Sequence, residues 1–313
     1  CPHRLSLRGQ VICSCGRTHA ALLAERVDAD KKAIDDLSRQ AGAIRGPIQE
    51  LIKAKIAELK AEYSAETRMK RALARAQREL VGNLKAALDL TSAEQLLLLP
   101  RDQLSELILT GGLGLAIEDF IDAQASITEA AMDTIQVIVS GASIGDVPDV
   151  VAVGMAAADN VFQDVILPDA LSAVRTALQG ITVDVPINQA MSGLSQRLEQ
   201  STGRQLTVVR TELTKYGRTI TAKAAEVYGL DLYLYTGPKD GITRGFCRAL
   251  INLVVDERQM RRLNNGQGLP VKTSGGGYNC RHSWSPVTQG FVDAANLTRA
   301  RAQDITKANG AAP

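Results

Sequence analysis

The residues best suited to chemistry are concentrated near the carboxyl end of the chain. Two of the five cysteines and one of the three histidines lie between residues 240 and 285, together with the only tryptophan. Thiolate sulfur and imidazole nitrogen are ligands that zinc prefers, so Cys247, Cys280 and His282 could supply three ligands. A fourth could come from Asp240, water or another chain. Zinc is the only cofactor that the sequence suggests.

The same two cysteines admit other interpretations. A disulfide between Cys247 and Cys280 could form after release from the cell, although a reducing cytosol does not favour it. Both thiols could also be buried as small apolar groups, as free cysteines commonly are. Five cysteines are an odd number without the density of a disulfide scaffold, which fits a reducing compartment. The sequence leaves metal, disulfide and buried thiols open.

A second group of thiols and imidazoles opens the chain. It comprises Cys1, His3, Cys13, Cys15 and His19. Four such ligands close a zinc tetrahedron, so residues 1–20 are a candidate for a small structural metal-binding loop. The C-x-C spacing is tighter than the usual C-x2-C, and a flexible cysteine-bearing arm is the alternative. No acid–base residue is evident beside these ligands, so we do not expect a catalytic zinc.

Charged residues around the carboxy-terminal cysteines could form a buried ion-pair network that joins a helix to a hairpin. They are Arg210, Glu212, Asp240, Arg244 and Arg281. Arginine suits this role because its planar guanidinium holds both oxygens of a carboxylate. The same residues could bind a phosphate instead. We favour the structural role because acids accompany the bases in one motif.

Long amphipathic helices are predicted to carry most of the chain. Apolar residues recur every three or four positions over residues 22–90, and Gly46-Pro47 marks the start of the long part. Residues 91–185 are rich in Ala, Gly, Leu and Val, with helix starts predicted at Thr91-Ser92 and Ser126-x-x-Glu129. Helix breaks are expected at Pro100, Gly111-Gly112, Pro148 and Pro168. Another long helix should run from Pro186 to about Tyr228 and end at Gly229.

Strand signals appear only after this last long helix. Residues 230–235 alternate and are rich in strand-favouring side chains, and residues 281–287 fit a returning strand. Short helices are predicted over 246–252 and 258–263, and a polar terminal helix over 289–308. The predicted fold is mainly α, with a long helical amino-terminal two-thirds and a small α+β carboxy-terminal domain. We divide the chain into residues 1–20, a helical coiled segment 21–90, an Ala/Gly-rich acidic helical domain 91–185, and 186–313.

Charge is segregated along the chain, although the net charge is only +2. Residues 31–80 carry 12 Lys/Arg against 7 Asp/Glu, residues 91–170 carry 1 against 13, and residues 196–262 carry 12 against 7. Such segments could pair with one another or face different partners. No segment is basic enough to predict DNA binding from charge alone.

The hydropathy pattern bears on membranes and export. No uncharged apolar run reaches the roughly 18–20 residues that a spanning helix needs, so we expect no stable membrane insertion. No secretory signal is recognised. Hydrophobic stretches within 107–158 raise the alternative of an ejection protein that reaches a membrane, but the acids that interrupt them argue against it.

The carboxy-terminal motif resembles a known family. Residues 210–287 are similar to the carboxy-terminal domain of the Mu-type head morphogenesis family, the minor head proteins of tailed phages. The pieces that match are Arg210-Thr211-Glu212, Tyr233-x-Tyr235-x-Gly237-Pro238, Asp240-x3-Arg244-x2-Cys247-Arg248, the segment 264–270, and Gly277-Tyr278-Asn279-Cys280-Arg281-His282 with Trp284 beyond it. The family's second element reads Asn-Cys-Arg followed by Cys or His, as here. A His–Pro that often precedes it is replaced here by Gly-Tyr.

The resemblance implies a part of the virion head and not an enzyme, so no residue is assigned as catalytic. Its partners would be the portal protein and the major capsid protein, with packaged DNA as a further contact, and it would act in head assembly, DNA packaging or ejection. It would occupy the virion head, and the host cytoplasm during assembly. We then expect residues 1–185 to serve attachment and the remainder to fold alone.

A second function remains open at this point. Head proteins of this type are sometimes linked to toxin-like domains, so the alternative is a nuclease or transferase effector carried in the virion. Cleavage of RNA by general acid–base catalysis needs a positioned acid–base pair beside a phosphate-binding arginine. His282, Glu212 and Arg244 could take those roles.

Overall fold

Most of the described chain is helical, with one small mixed sheet near the carboxyl end, which confirms the predicted fold class. The computed structural model describes residues 31–39, 41–42, 45–277 and 280–312, and the backbone alone of 3–5 and 11–13. At the amino end, β1 (His3–Leu5) and β2 (Val11–Cys13) pair antiparallel.

The α-helices that precede the sheet follow in chain order. They are α1 (31–39), α2 (Pro47–Leu88), α3 (Ala93–Leu97), α4 (Arg101–Ile108), α5 (Gly114–Gln136), α6 (Val150–Val161), α7 (Leu167–Thr182) and α8 (Ile187–Val227). Helix α2 begins at the predicted proline, and α8 begins directly after Pro186 and ends just before Gly229, whose φ is 64°. Ser92 caps α3 in a reciprocal capping box with Gln95. The sequence signals for helix ends are therefore largely confirmed.

Two predicted helix boundaries are wrong. Pro168 does not separate helices, because a π-helical segment at Phe162–Ile166 precedes this proline, which lacks an N–H donor, and carries the chain from α6 into α7. The break at Gly111-Gly112 is confirmed, because Gly112, at φ 146°, has non-helical backbone angles and forms a kink in the segment Leu109–Leu113 between α4 and α5. The Ser126-x-x-Glu129 pattern lies inside α5 and starts no helix.

Contacts divide the chain into two compact units that are interleaved along the sequence. The first unit contains residues 1–26, 64–123 and 155–212, and the second contains 27–63, 124–154 and 213–313. Helices α2, α5 and α8 each contribute residues to both units. One continuous helix can therefore serve two cores, and the division into four consecutive segments stays a prediction.

Apart from the β1–β2 pair, the first unit is mainly helical in its described part, and aromatic and ionic contacts join its helices. Phe120 and Phe162 meet edge to face, with ring centroids 5.7 Å apart. Arg75 donates to Asp119, and Arg204 pairs with Asp169. These contacts tie the helices of this unit to one another around buried apolar side chains.

The second unit contains the sheet, whose strands are β3 (Leu232–Thr236), β4 (Leu253–Asp256), β5 (Ser283–Val287) and β6 (Thr298–Arg299). Their order is β5-β3-β4-β6, with β3 antiparallel to both neighbours and β4 parallel to β6. Short helices flank it: α9 (Gly245–Leu250), α10 (Glu257–Arg262), α11 (Val271–Ser274), α12 (Gln289–Ala294) and α13 (Ala302–Gly310). The polar terminal helix predicted over 289–308 is wrong, because Asn296, at φ 49°, ends α12 and lets the chain extend the sheet as β6.

Both faces of this sheet are buried. On β3, Tyr233 and Tyr235 belong to one apolar cluster, while Leu232 and Leu234 belong to the other. The second cluster is completed by Leu51 of α2 and by residues 137 and 138 after α5. Part of the core of this sheet therefore comes from outside 186–313, which argues against the expectation that these residues fold alone.

The packing of α8 on α5 in the second unit sets a steric requirement at Gly217. A Cβ placed there would lie 2.7 Å from Cγ2 of the fully buried Ile127. We expect Gly217→Ala to lower the free energy of unfolding by about 1–3 kcal/mol, because a stiff β-branched neighbour cannot retreat. A Cβ added at the exposed Gly82, inside α2, would meet nothing within 4 Å, so Gly82→Ala should raise the free energy of unfolding by up to about 1 kcal/mol. Urea unfolding of both variants tests this pair, and equal effects would contradict it.

One described helix is long and apolar enough to cross a membrane by length and composition alone. It is the continuous stretch Val150–Thr182, with a mean hydropathy of 1.5 over its most apolar window, one third of which is buried. The stretch contains Asp159, Asp164 and Asp169, and Asp169 is paired with Arg204. The absence of stable membrane insertion therefore stays a prediction.

Candidate metal centre

Three predicted ligands are brought together by α9 and by the segment that leads into β5. Cys247 lies inside α9, while Cys280 and His282 directly precede β5. Strand β5 pairs with β3 so that Trp284 faces Tyr235 and Ser283 faces Thr236. This register places His282 beside the turn that follows β3. All three side chains are buried.

The distances within this cluster suit one small ion. The Sγ atoms of Cys247 and Cys280 are 3.6 Å apart, and Cys280 Sγ is 3.8 Å from Nδ1 of His282. All three ligand atoms lie within 4.8 Å of one another. A tetrahedral zinc with its usual bond lengths would separate two sulfurs by about 3.8 Å, and sulfur from nitrogen by about 3.5 Å. The group could hold a metal without moving far.

The imidazole of His282 is oriented for coordination. Its Nε2 lies 2.7 Å from the carbonyl oxygen of Pro238, which can only accept, so Nε2 carries the proton and donates. In the neutral ring, Nδ1 then keeps its lone pair on the side of Cys280. Histidines that bind metals commonly donate their second N–H to a carbonyl or carboxylate in this way.

The turn that receives His282 depends on a glycine. A Cβ at Gly237, whose φ is 155°, would lie 2.4 Å from Cδ2 of the His282 ring. A side chain at this position would displace the imidazole from its hydrogen bond to Pro238. The Gly237-Pro238 pair of the motif thus has a structural explanation: the first residue leaves room for the ring and the second fixes its orientation.

The electrostatic environment favours a thiolate at Cys280. The hydrogen bond from Cys247 lowers the pKa of the Cys280 thiol well below its usual value; burial opposes this, and the charge of Arg218 adds to it. Donation to Cys280 and burial raise the pKa of Cys247. The backbone N–H of Gly276 also donates to Cys280 Sγ, at 3.1 Å. Of the two thiols, Cys280 is therefore the one that loses its proton more readily.

The loop of consecutive glycines packs directly on the two sulfurs. A Cβ at Gly276 would lie 2.4 Å from Cys247 Sγ and 3.3 Å from Cys280 Sγ. Arg244 Nη1 donates to the carbonyl oxygen of Gly276 at 2.7 Å, which anchors the loop against α9. These glycines therefore allow the loop to approach the thiols closely.

The predicted ion-pair network is divided between the two units. In the second unit, Arg281 pairs with Asp240 at 2.7 Å. Burial works against ionisation of Asp240, but the hydrogen bond and charge of Arg281 lower the pKa of its carboxyl. In the first unit, Arg210 pairs with Glu66 and Glu212 accepts a hydrogen bond from Asn160. Helical periodicity could not show that α8 changes units between Glu212 and Leu213.

The arginine of α8 that reaches the cluster is Arg218, which sequence reasoning did not single out. It is 8% exposed and donates to the carbonyl oxygens of Cys280 and Thr273. The one sequence signal that Arg218 faces the core was helical spacing. It lies three residues before Thr221 and seven before Ala225, both of which are buried. Arg218 thus holds the loop that carries Cys280 against α8.

Two aromatic residues complete the surroundings. Tyr235, fully buried, places its hydroxyl 3.3 Å from Cys247 Sγ and 3.6 Å from Cys280 Sγ. Trp284 stands 4.2 Å from Tyr235 between ring centroids and donates from Nε1 to the carbonyl oxygen of Val271. Tyr235 belonged to the recognised motif, but nothing in the sequence assigned it to the cysteines, because only the β3–β5 register brings it there.

The amino-terminal candidate ligands are not described at side-chain level. The backbone places His3 opposite Cys13 in the β1–β2 pair. The side chains of both, and Cys1, Cys15 and His19 entirely, lie outside the described residues. The small metal-binding loop over residues 1–20 stays a prediction.

The described residues thus establish a buried group of two thiols and one imidazole that could hold a metal. No family model, curated protein or solved structure matches this chain. Both cysteines are free thiols in the structure, so a disulfide between them is not present here. The metal and buried-thiol interpretations are both consistent with this geometry and make different predictions for chelators.

Proposed function

We propose that this chain is a structural minor head protein of a tailed phage, and that zinc holds its α+β region together. The observation that carries the proposal is the convergence of the motif. Cys247, Cys280 and His282, which match the head-morphogenesis pattern from two separate stretches, meet in one buried cluster beside the Asp240–Arg281 pair. The protein would be a low-copy part of the head, acting in assembly, DNA packaging or ejection.

A zinc ion at this position would have a clear structural role. The strands are at most five residues long, and the sheet is built from segments distant in sequence. Small cores of this kind gain from a staple. Cys247, Cys280 and His282 would link α9 to β5, and the ion would add the binding energy of zinc to folding.

The contacts of the same residues favour a structural role over an effector. His282 is 2% exposed and its Nε2 is bonded to Pro238, so it is poorly placed to exchange protons with a substrate. Arg244 donates to the Gly276 carbonyl oxygen. Glu212 is bonded to Asn160 in the other unit. The acid–base roles of the nuclease alternative therefore fall on groups that already serve the fold.

Exposed apolar residues of the first unit support a docking role. Leu90, Leu98 and Val183 are 90%, 82% and 72% exposed. Large exposed apolar side chains are frequent at protein interaction sites, and residues 91–170 add a strongly acidic character. In this proposal they contact the portal or major capsid protein, and packaged DNA is a further contact for the basic segments. The chain would reside in the virion head, and in the host cytoplasm during assembly.

Fractionation of purified particles tests the proposal. Heads freed of tails would be sedimented through a density gradient, and peptides of this chain would be quantified by mass spectrometry against the major capsid protein. We expect co-sedimentation with heads at far fewer copies than the capsid protein. Recovery only at the top of the gradient, with host cytosolic proteins, would contradict a head component. Cleavage of RNA or DNA by the purified chain, lost in His282→Ala, would favour the effector instead.

A further inference from the structure

We propose that the phenol oxygen of Tyr235 is the fourth ligand of the zinc held by Cys247, Cys280 and His282. The inference rests on the zinc centre proposed above and extends it to a closed site with two sulfur ligands, one nitrogen and one oxygen. Tyrosine is not a residue that sequence rules for zinc sites look for, and here only the strand register reveals it.

The phenol oxygen of Tyr235 lies at similar distances from both sulfur atoms. It lies 3.3 Å from one sulfur and 3.6 Å from the other, and the sulfurs themselves are 3.6 Å apart. Three atoms separated in this way form a nearly regular triangle. The edge expected between oxygen and sulfur ligands around tetrahedral zinc is about 3.5 Å. The oxygen therefore already stands at ligand spacing from both thiols.

No other candidate for the fourth ligand is available among the described His, Cys, Asp and Glu side chains near the cluster. Within the described part of the chain, the group of His, Cys, Asp and Glu atoms at this position ends at the three members already named. Asp240, the fourth ligand considered from sequence, is paired with Arg281 and accepts from Thr243. Structural zinc sites are four-coordinate almost without exception, so three ligands leave one position to fill.

The ring of Tyr235 is held rigidly in this position. It stacks on the His282 ring, with centroids 5.5 Å apart, and meets Phe246 edge to face. Trp284 packs on it at 4.2 Å. A ligand fixed by packing loses little freedom when the metal binds, which favours coordination. Zinc also accepts mixed sulfur, nitrogen and oxygen ligands, whereas a softer ion would favour the thiolates alone.

Coordination by phenolate has a definite proton balance. A phenol is protonated at neutral pH, and its O–H proton must leave to solvent when the oxygen bonds to zinc. Thiols that coordinate zinc lose their S–H protons in the same way, but these protons leave from wild type and from Tyr235→Phe alike, and no electron is transferred. If Tyr235 only donated a hydrogen bond to a zinc-bound sulfur, it would keep that proton. Counting protons on zinc binding therefore separates a ligand from a neighbour.

The experiment titrates zinc chloride into the full-length protein, stripped of metal and kept reduced. Wild type, Tyr235→Phe and Tyr233→Phe are compared. Tyr233 is a matched control because it lies on the same strand and the same sheet face, with its ring under Lys272. Calorimetry in two buffers of different ionisation enthalpy gives the protons released, and near-ultraviolet difference absorption reports phenolate.

We expect wild type and Tyr233→Phe to release one more proton than Tyr235→Phe and to show the phenolate band. Zinc affinity of Tyr235→Phe should fall by at least about 10-fold. Equal proton release in all three proteins, without a phenolate band, overturns the assignment while leaving the zinc centre intact. If wild type binds no zinc, the zinc centre itself is overturned. Should Tyr235→Phe fail to fold, the wild-type band still decides, since its absence excludes a phenolate ligand.

Discussion

Replacing Cys280 by serine is expected to abolish zinc binding at the proposed centre and to lower the unfolding temperature by on the order of 10 °C. A ligand that binds only the folded state stabilises it by about 4 kcal/mol at a concentration 1,000 times its dissociation constant. Cys280 has the thiol whose pKa is lowered, and it lies on the loop held by Arg218 and Gly276. Its loss should therefore affect both the metal and the second unit.

Treatment with a chelator distinguishes the stability that the metal contributes from the stability that packing of the thiol contributes. Wild-type protein treated with a strong chelator should lose most of the same stability, whereas Cys280→Ser should respond little. Zinc content would be measured by atomic emission and unfolding by calorimetry. A chelator-insensitive wild type with an equally destabilised Cys280→Ser would show that Cys247 and Cys280 act only as buried thiols. Cys13→Ser, measured in parallel, reports on the amino-terminal cluster separately.

The second large effect is expected at a buried ion pair in α2. Lys55 and Glu58 form a salt bridge, and the two residues are 5% and 2% exposed. Glu58 also accepts a hydrogen bond from the Thr134 hydroxyl. Lys55→Met leaves the Glu58 carboxylate buried without its cation. Breaking a buried pair from one side costs about 3–5 kcal/mol, so we expect a loss of that size in the free energy of unfolding.

The same helix offers an exposed counterpart with the same spacing. Lys53 pairs with Glu50 at 2.8 Å, and the two side chains are 54% and 57% exposed. Lys53→Met should change stability by less than about 1 kcal/mol, because solvent screens such pairs. The double variant Lys55→Met/Glu58→Met should recover most of the loss, since apolar replacement of both partners is often neutral. Similar losses in the free energy of unfolding for Lys55→Met and Lys53→Met, measured in urea, would refute this expectation.

The parts of the fold that the sequence predicted are those set by local signals. Pro186 and Gly229 delimit α8, and alternation identifies β3, because these patterns depend on neighbours along the chain. Strand β4 lies between two short helices and β6 has only two residues. Neither carries enough residues for a periodic pattern, so their pairing is visible only in three dimensions.

The candidate site divides in the same way. Residue chemistry alone proposed Cys247, Cys280 and His282, since thiols and imidazoles are scarce in this chain. It could not identify Arg218 or Tyr235, whose roles arise from the approach of α8 and from the β3–β5 register. It also grouped Glu212 with the cluster, because one continuous helix gives no sign of where it passes from one core to the next.

The interleaving of the two units has a consequence for synthesis. Once residue 212 has left the ribosome, every segment of the first unit is available, and that unit can fold during translation. The second unit is still incomplete at that stage, because Leu51 and residues 137 and 138 must wait for strands that are translated after residue 231. Until then these apolar side chains lack their native neighbours, and closing their contacts spans most of the chain, which slows folding. The growing chain thus passes through a stage in which the first unit has all of its segments and the second still exposes apolar side chains of its core.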